Sequence, residues 1–140
     1  MNDKPLSDSK KVGDCIVLYT DGYLNGLGAE KLEDKCETII NGGYRNIVIN
    51  FGNTEFINSI GISILIGVIE KISKVEGRLS FSNLTKINQE TFEMLGLTKY
   101  VPIYETEEKA LLHLKEGLKD LYKDSLSRRK SKRKVYNIMP

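Results

Sequence analysis

Few side chains that do chemistry stand near one another in this sequence. Cys15 and Cys36 lie in apolar-patterned segments and lack the C-x-x-C spacing of a metal or redox pair, so both read as small buried thiols. The single histidine, His113, cannot build a metal site alone and falls in a helical pattern. No glycine-rich phosphate loop follows a strand, and no nucleophile stands beside a base. The expectation is a protein that recognises rather than catalyses, with no catalytic residue, metal or cofactor. Three segments are candidates for that role. Gly22-Tyr23-Leu24-Asn25-Gly26-Leu27-Gly28 is rich in turn formers and reads as a loop. Asn58-Ser59-Ile60-Gly61 leads into an apolar helix, where free backbone N–H groups and the helix dipole favour negative charge. Arg128 to Lys134 holds six basic residues in seven, a run able to meet phosphates.

The elements that position these segments follow from periodicity. Asp14 to Thr20 is β-branched and aromatic, as in a buried strand. A weaker strand near Leu6 to Lys10 precedes it, turning at Val12-Gly13-Asp14. A helix is expected from about Ala29 to Asn41, with Leu32, Cys36, Ile39 and Ile40 on one face and Gly42-Gly43 as its stop. Asn46 to Phe51 is apolar at most positions, like a central covered strand. Ile60 to Ile72 reads as a helix buried on much of its circumference, with Gly61 and Gly67 letting it lie close to the sheet. Arg78 to Asn83 is a strand. Lys86 to Leu95 is a short helix carrying Ile87, Phe92 and Leu95 inward. Val101 to Tyr104 is a last short strand, which Pro102 confines to an edge. Thr106 caps a final helix whose apolar face, from Leu111 and Leu114 through Leu118 and Leu121, runs to about Leu126. This alternation predicts an α/β domain with a largely parallel centre.

The whole fits one domain: 140 residues, 40% hydrophobic and 29% charged. The net charge of +2 conceals a division. Residues 1–118 carry 13 basic and 17 acidic side chains, whereas residues 119–140 carry 8 basic and 2 acidic. A mildly acidic domain over 1–118, its last helix reaching about 126, is therefore expected to precede a basic, disordered tail over 127–140. That tail has no aromatic interleaving for base stacking, so nucleic-acid binding is expected only weakly and only through it. No window approaches the roughly 20 apolar residues of a membrane helix, and the first residues lack a signal-peptide core. A cytoplasmic location is expected.

The segment from Ile47-Val48-Ile49-Asn50-Phe51 through Asn58-Ser59-Ile60-Gly61 to the apolar helix resembles the core of the STAS family, the anti-sigma factor antagonists and their relatives. In that family a strand of this form is followed by a short link, then D-S-S/T-G, then an apolar helix. Gly22-Tyr23-Leu24-Asn25 is similar to its G-E-L/I-D element, Glu93 to Leu97 to its late F-x-x-x-G-L element, and Glu107 to Leu111 to the start of its last helix. The resemblance covers roughly residues 10–116. It implies a mixed four- to five-stranded sheet with about four helices packed mainly on one face. It also implies a regulatory module that binds an anti-sigma factor of the histidine-kinase-like ATPase type, with Ser59 at the phosphorylated position and a serine phosphatase as a further partner. Tyr23, Asn25, Gly26, Asn58, Ser59, Ile60 and Gly61 then form the partner-binding set, on a monomer or homodimer. Three residues depart from the family pattern: Asn25 and Asn58 stand where it has aspartates, and Ile60 where it has a second Ser/Thr. An amide keeps the hydrogen bonds of the turn but neither acts as a base nor repels an added phosphate. Two alternatives remain beside the phospho-switch: a scaffold that is not phosphorylated, and a sensor of a small lipid or nucleotide at the Gly22–Gly28 segment.

Overall fold

The structure, a computed structural model, describes residues 9–115. β1 (Ser9–Val12) turns through Gly13, at φ +61°, into β2 (Cys15–Leu24), and the two pair antiparallel. There follow α1 (Gly26–Asn41), β3 (Asn46–Ile57), α2 (Ser59–Lys74), β4 (Arg78–Ser82), α3 (Lys86–Met94), a 3-10 turn (Leu97–Lys99) and β5 (Ile103–Tyr104). A last helix, α4, spans 107–115. The sheet order is β1-β2-β3-β4-β5, with every pair after the first parallel. The fold is the mixed α/β sheet expected from the sequence, with β3 at its centre and Pro102 beside the edge strand.

Strand alternation assigns the two faces. Ile16, Leu18, Ile47, Ile49, Phe51, Leu79 and Phe81 point to one side and Cys15, Val17 and Val48 to the other. The sheet is wound in one direction, so three successive right-handed crossovers lay α1, α2 and α3 on the same face. The main core forms there, with Leu32, Cys36, Leu65, Val68 and Phe92 fully or almost fully buried. Burial pushes the Cys36 thiol up to about 12, in keeping with a small apolar packing group. Among the described residues only α4, which follows β5, covers the opposite face, through Ala110 and Leu114. Its N-cap is Thr106, whose hydroxyl accepts from the Lys109 N–H at 3.1 Å.

Three expectations need correction. The turn-rich segment Gly22–Gly28 is not a loop: β2 continues to Leu24, α1 begins at Gly26, and Asn25 alone joins them. The turn formers are absorbed because β3 carries an extra residue at two places against β2, between Tyr19 and Asp21 and between Gly22 and Tyr23. In α3, Phe92 faces inward, but Ile87 and Leu95 are exposed and Asn88 is buried in their stead. The Asn88 amide donates to the Glu55 carbonyl at 3.4 Å, which satisfies it there. Gly67 does not meet the sheet; a side chain at that position would touch Glu33 of α1. The expected domain boundary near 118, the end of the last helix and the basic tail lie outside the described residues.

Candidate functional site

Among the described residues β1 pairs with β2 as far as Leu18 and β4 with β3 as far as Asn50, whereas β2 and β3 stay paired as far as Leu24 and Ile57. Beyond Asn50 the two strands run on together as a ribbon, and each ends directly at the N-terminus of a helix. Asn25 caps α1, its side-chain oxygen accepting from the Gly28 N–H at 3.1 Å. Asn58 caps α2 in the same way, accepting from the Gly61 N–H at 2.7 Å. Both amides therefore do the capping that an aspartate would do, without its charge. The Asn58 N–H donates to the Leu24 carbonyl at 3.2 Å, which ties one junction to the other.

Two glycines make this approach possible. A Cβ on Gly61 would stand 2.6 Å from the Leu24 carbonyl oxygen, and a Cβ on Gly26 would meet Ile60 Cγ2 at 3.1 Å. The first obstacle is backbone and cannot rotate away. Gly61→Ala is expected to destabilise the fold by about 1–3 kcal/mol. Gly13→Ala serves as a comparison: it meets no atom within 4 Å but sits at φ +61°, so it suffers only the strain of a positive φ, about 1–2 kcal/mol. Urea unfolding measures both against wild type, and a Gly61→Ala midpoint equal to that of wild type would contradict the packing argument.

All seven residues of the expected binding set thus fall at one end of the molecule. Tyr23 lies on the ribbon, Asn25 and Gly26 at the α1 junction, and Asn58, Ser59, Ile60 and Gly61 at the α2 junction. Ser59 is exposed as the first residue of α2, whose first turn carries no acidic side chain; nor does that of α1. Ile60 is 59% exposed. Sequence reasoning missed Phe56, the cross-strand partner of Tyr23: their rings stack at 5.4 Å while both stay about half exposed. Leu27, inside the candidate Gly22–Gly28 segment but outside the seven-residue set, is exposed in the first turn of α1. Phe56 was readable only from a longer β3, one that runs on to Ile57.

A second polar cluster was not legible at all. On the α4 face, the Glu107 carboxylate accepts hydrogen bonds from the Tyr19 hydroxyl at 2.8 Å and the Asn50 amide at 2.9 Å, and pairs with Lys10 Nζ at 2.7 Å. These partners come from three strands, and no local pattern joins them. Burial pushes the carboxyl up, but hydrogen bonds from Lys10, Asn50 and Tyr19 outweigh it and hold the group below the ordinary carboxylate value. A depressed folded value gives stability that is complete above the unfolded pKa of about 4.3 and is lost as pH falls through the folded one. Wild type is therefore expected to exceed Glu107→Gln in stability near neutrality, with the gap closing as pH falls toward about 3. Chemical denaturation at several pH values checks this; a gap that does not change with pH removes the charge from the explanation.

Among the described residues no group of three or more His, Cys, Asp or Glu is placed to hold a metal. Among them no helix is long and apolar enough to cross a membrane. One cleft among the described residues, of 460 Å³, lies between the β1–β2 turn and α4, lined by Val12, Cys15, Leu111 and Leu112 among others. It is remote from the Gly22–Gly28 segment that suggested a sensor.

Residues 7–110 match the family described as STAS domain. The chain is 26% identical to BtrV of Bordetella bronchiseptica, named as an anti-sigma factor antagonist, over 77% of this chain and 93% of that protein. The structure is similar to an anti-sigma factor antagonist of Thermotoga maritima, with TM-score 0.72 and 21% identity over 77% of this chain and 93% of that one. It is also similar to the Bacillus cell fate determinant SpoIIAA in its phosphorylated form, with TM-score 0.63 and 25% identity over 76% of this chain and 97% of that one.

Proposed function

From a chain that belongs to the STAS domain family, we propose an anti-sigma factor antagonist that docks an anti-sigma factor of the histidine-kinase-like ATPase type. Docking uses the end of the molecule where β2 and β3 run into α1 and α2. The observation that carries this reading is the joining of the two helix N-termini by the Asn58–Leu24 hydrogen bond, with Ile60, Tyr23, Phe56 and Leu27 left exposed around Ser59. Large apolar groups beside exposed polar backbone suit a protein interface, whose usual size is on the order of 1,600 Å². The STAS family is regulatory, and the proposed role needs no reaction on this chain.

Ser59 is proposed as the switch. A phosphate adds a charge of about −1.5 to −2. Neither first turn holds an acid, and the free N–H groups at the start of α2 favour an anion, so the domain itself tolerates the modification. The added charge acts instead on the partner, by bulk and by desolvation of the surface around Ile60. A kinase and a serine phosphatase are then separate proteins, and the cytoplasm is the compartment.

The test begins with a pull-down from native cells using wild type, Ser59→Ala and Ser59→Asp. A histidine-kinase-like ATPase retained by the first two and lost by the third supports the proposal. That ATPase, ATP and the purified domain are then incubated and the intact mass read. Wild type should gain one phosphate and Ser59→Ala none. Equal retention of all three proteins with no mass gain leaves a constitutive binder, in which the Asn25 and Asn58 amides mark the loss of the switch.

A further inference from the structure

Asn50 is the one side chain that touches both the α4 anchor and the root of the ribbon. Its Nδ2 donates to Glu107, and its Oδ1 accepts from the Gly52 N–H at 2.7 Å. Gly52 begins the part of β3 that has left β4 and leads to Phe56, Asn58 and Ser59. The amide is held flat between these two partners, because turning it by half a rotation would set its NH2 against the Gly52 N–H and its oxygen against the Glu107 carboxylate. Each bond therefore favours the amide setting that the other needs.

α4 is the only described helix on its face of the sheet. Its described apolar contacts are Ala110 and Leu114, with Leu111 beside them, on Cys15, Val17 and Val48, and His113 stacks on Tyr104 at 4.8 Å. At its N-terminal end, Glu107 gathers Lys10, Tyr19 and Asn50 and so fixes the helix to β1, β2 and β3 at once.

We infer that α4 is a regulatory strut: its docking through Glu107 sets the Asn50 amide, and the amide sets the order of the β3 part of the ribbon that presents the Ser59 junction. A ligand or partner that lifts α4 then loosens the docking end from the opposite face of the sheet. The coupling is a property of this chain alone; only its use in controlling docking rests on the function proposed above.

Amide hydrogen exchange on the purified full chain reads it directly. In Glu107→Gln, exchange should rise by about tenfold in 107–115 and also at residues 52–57, the factor expected when a charge-assisted hydrogen bond becomes a neutral one. Exchange in α1 and α2 should stay as in wild type, which shows that the fold is intact. Asn50→Asp keeps an acceptor for the Gly52 N–H but repels Glu107. It should free 107–115 and leave 52–57 protected. Lys10→Met, at a half-exposed partner, gives a milder variant that should shift both segments together. Exchange raised only in 107–115 by Glu107→Gln would overturn the inference, and so would a ribbon freed by Asn50→Asp as much as by Glu107→Gln. A ribbon freed by Glu107→Gln with partner binding unchanged keeps the coupling and rejects its use in controlling docking; the same exchange result with no partner bound by wild type rejects the proposed function and leaves the coupling standing.

Discussion

Phe51→Ala is expected to cost about 3–5 kcal/mol, a large part of the roughly 5–15 kcal/mol that holds a domain of this size together. Phe51 is fully buried and packs edge-on against two rings, Phe81 at 5.1 Å and Phe92 at 6.0 Å, which themselves lie 5.5 Å apart. These three residues belong to β3, β4 and α3, so a cavity there parts three elements at once. Neighbours held by the sheet cannot collapse into the space, and the cavity adds to the lost transfer energy. Each ring pair contributes about 0.5–1.5 kcal/mol beyond its area. Phe56→Ala provides the control: that ring is half exposed and its loss should cost no more than about 1 kcal/mol. Urea unfolding should show a large fall in midpoint for the first variant and a small one for the second, with similar slopes. Equal midpoints would mean that the aromatic trio does not organise the core.

Ile60→Asp should have the opposite profile, with little effect on folding and a large one on docking. Ile60 is exposed and stands second in α2, where a carboxylate meets the positive end of the helix dipole. Stability should therefore stay within about 0.5 kcal/mol of wild type. If the residue is a central apolar anchor, its replacement by a charge costs about 2–4 kcal/mol of binding. That range is a loss in affinity of roughly 30- to 1,000-fold. Titration calorimetry with the anti-sigma factor recovered in the pull-down measures it. An unchanged Kd would remove Ile60, and with it the α2 junction, from the interface.

The course of the chain was legible where a local pattern and a local stop agree. Leu32, Cys36 and Ile39 followed by Gly42-Gly43 specify α1 and its end, and the isoleucine-rich run after Ser59 specifies α2. Pro102 marks the edge strand, and Thr106 marks the start of α4. Legibility failed where long-range pairing overrode local preference. Asp21, Gly22 and Asn53 favour turns, yet the pairing of β2 with β3 carries them through as bulges. Ile87 and Leu95 match a helical apolar face, yet only Phe92 finds the aromatic trio when the nine-residue helix lies across Phe51 and Phe81.

The candidate site divides in the same way. The sequence by itself determined its chemistry: a capping residue before each helix, glycines at the junctions, an apolar Ile60 beside Ser59, and charges segregated between residues 1–118 and 119–140. Side-chain type and near-neighbour spacing suffice for that, because capping and helix patterning act over three or four residues. Only the tertiary structure decided that the two junctions form one surface, since Asn58 and Leu24 meet through parallel pairing of strands separated by a whole helix. It alone stacked Phe56 on Tyr23. It alone joined Lys10, Tyr19, Asn50 and Glu107, groups that lie on three strands and the start of α4. Contacts at that separation depend on the order and direction of the strands, which no local pattern encodes.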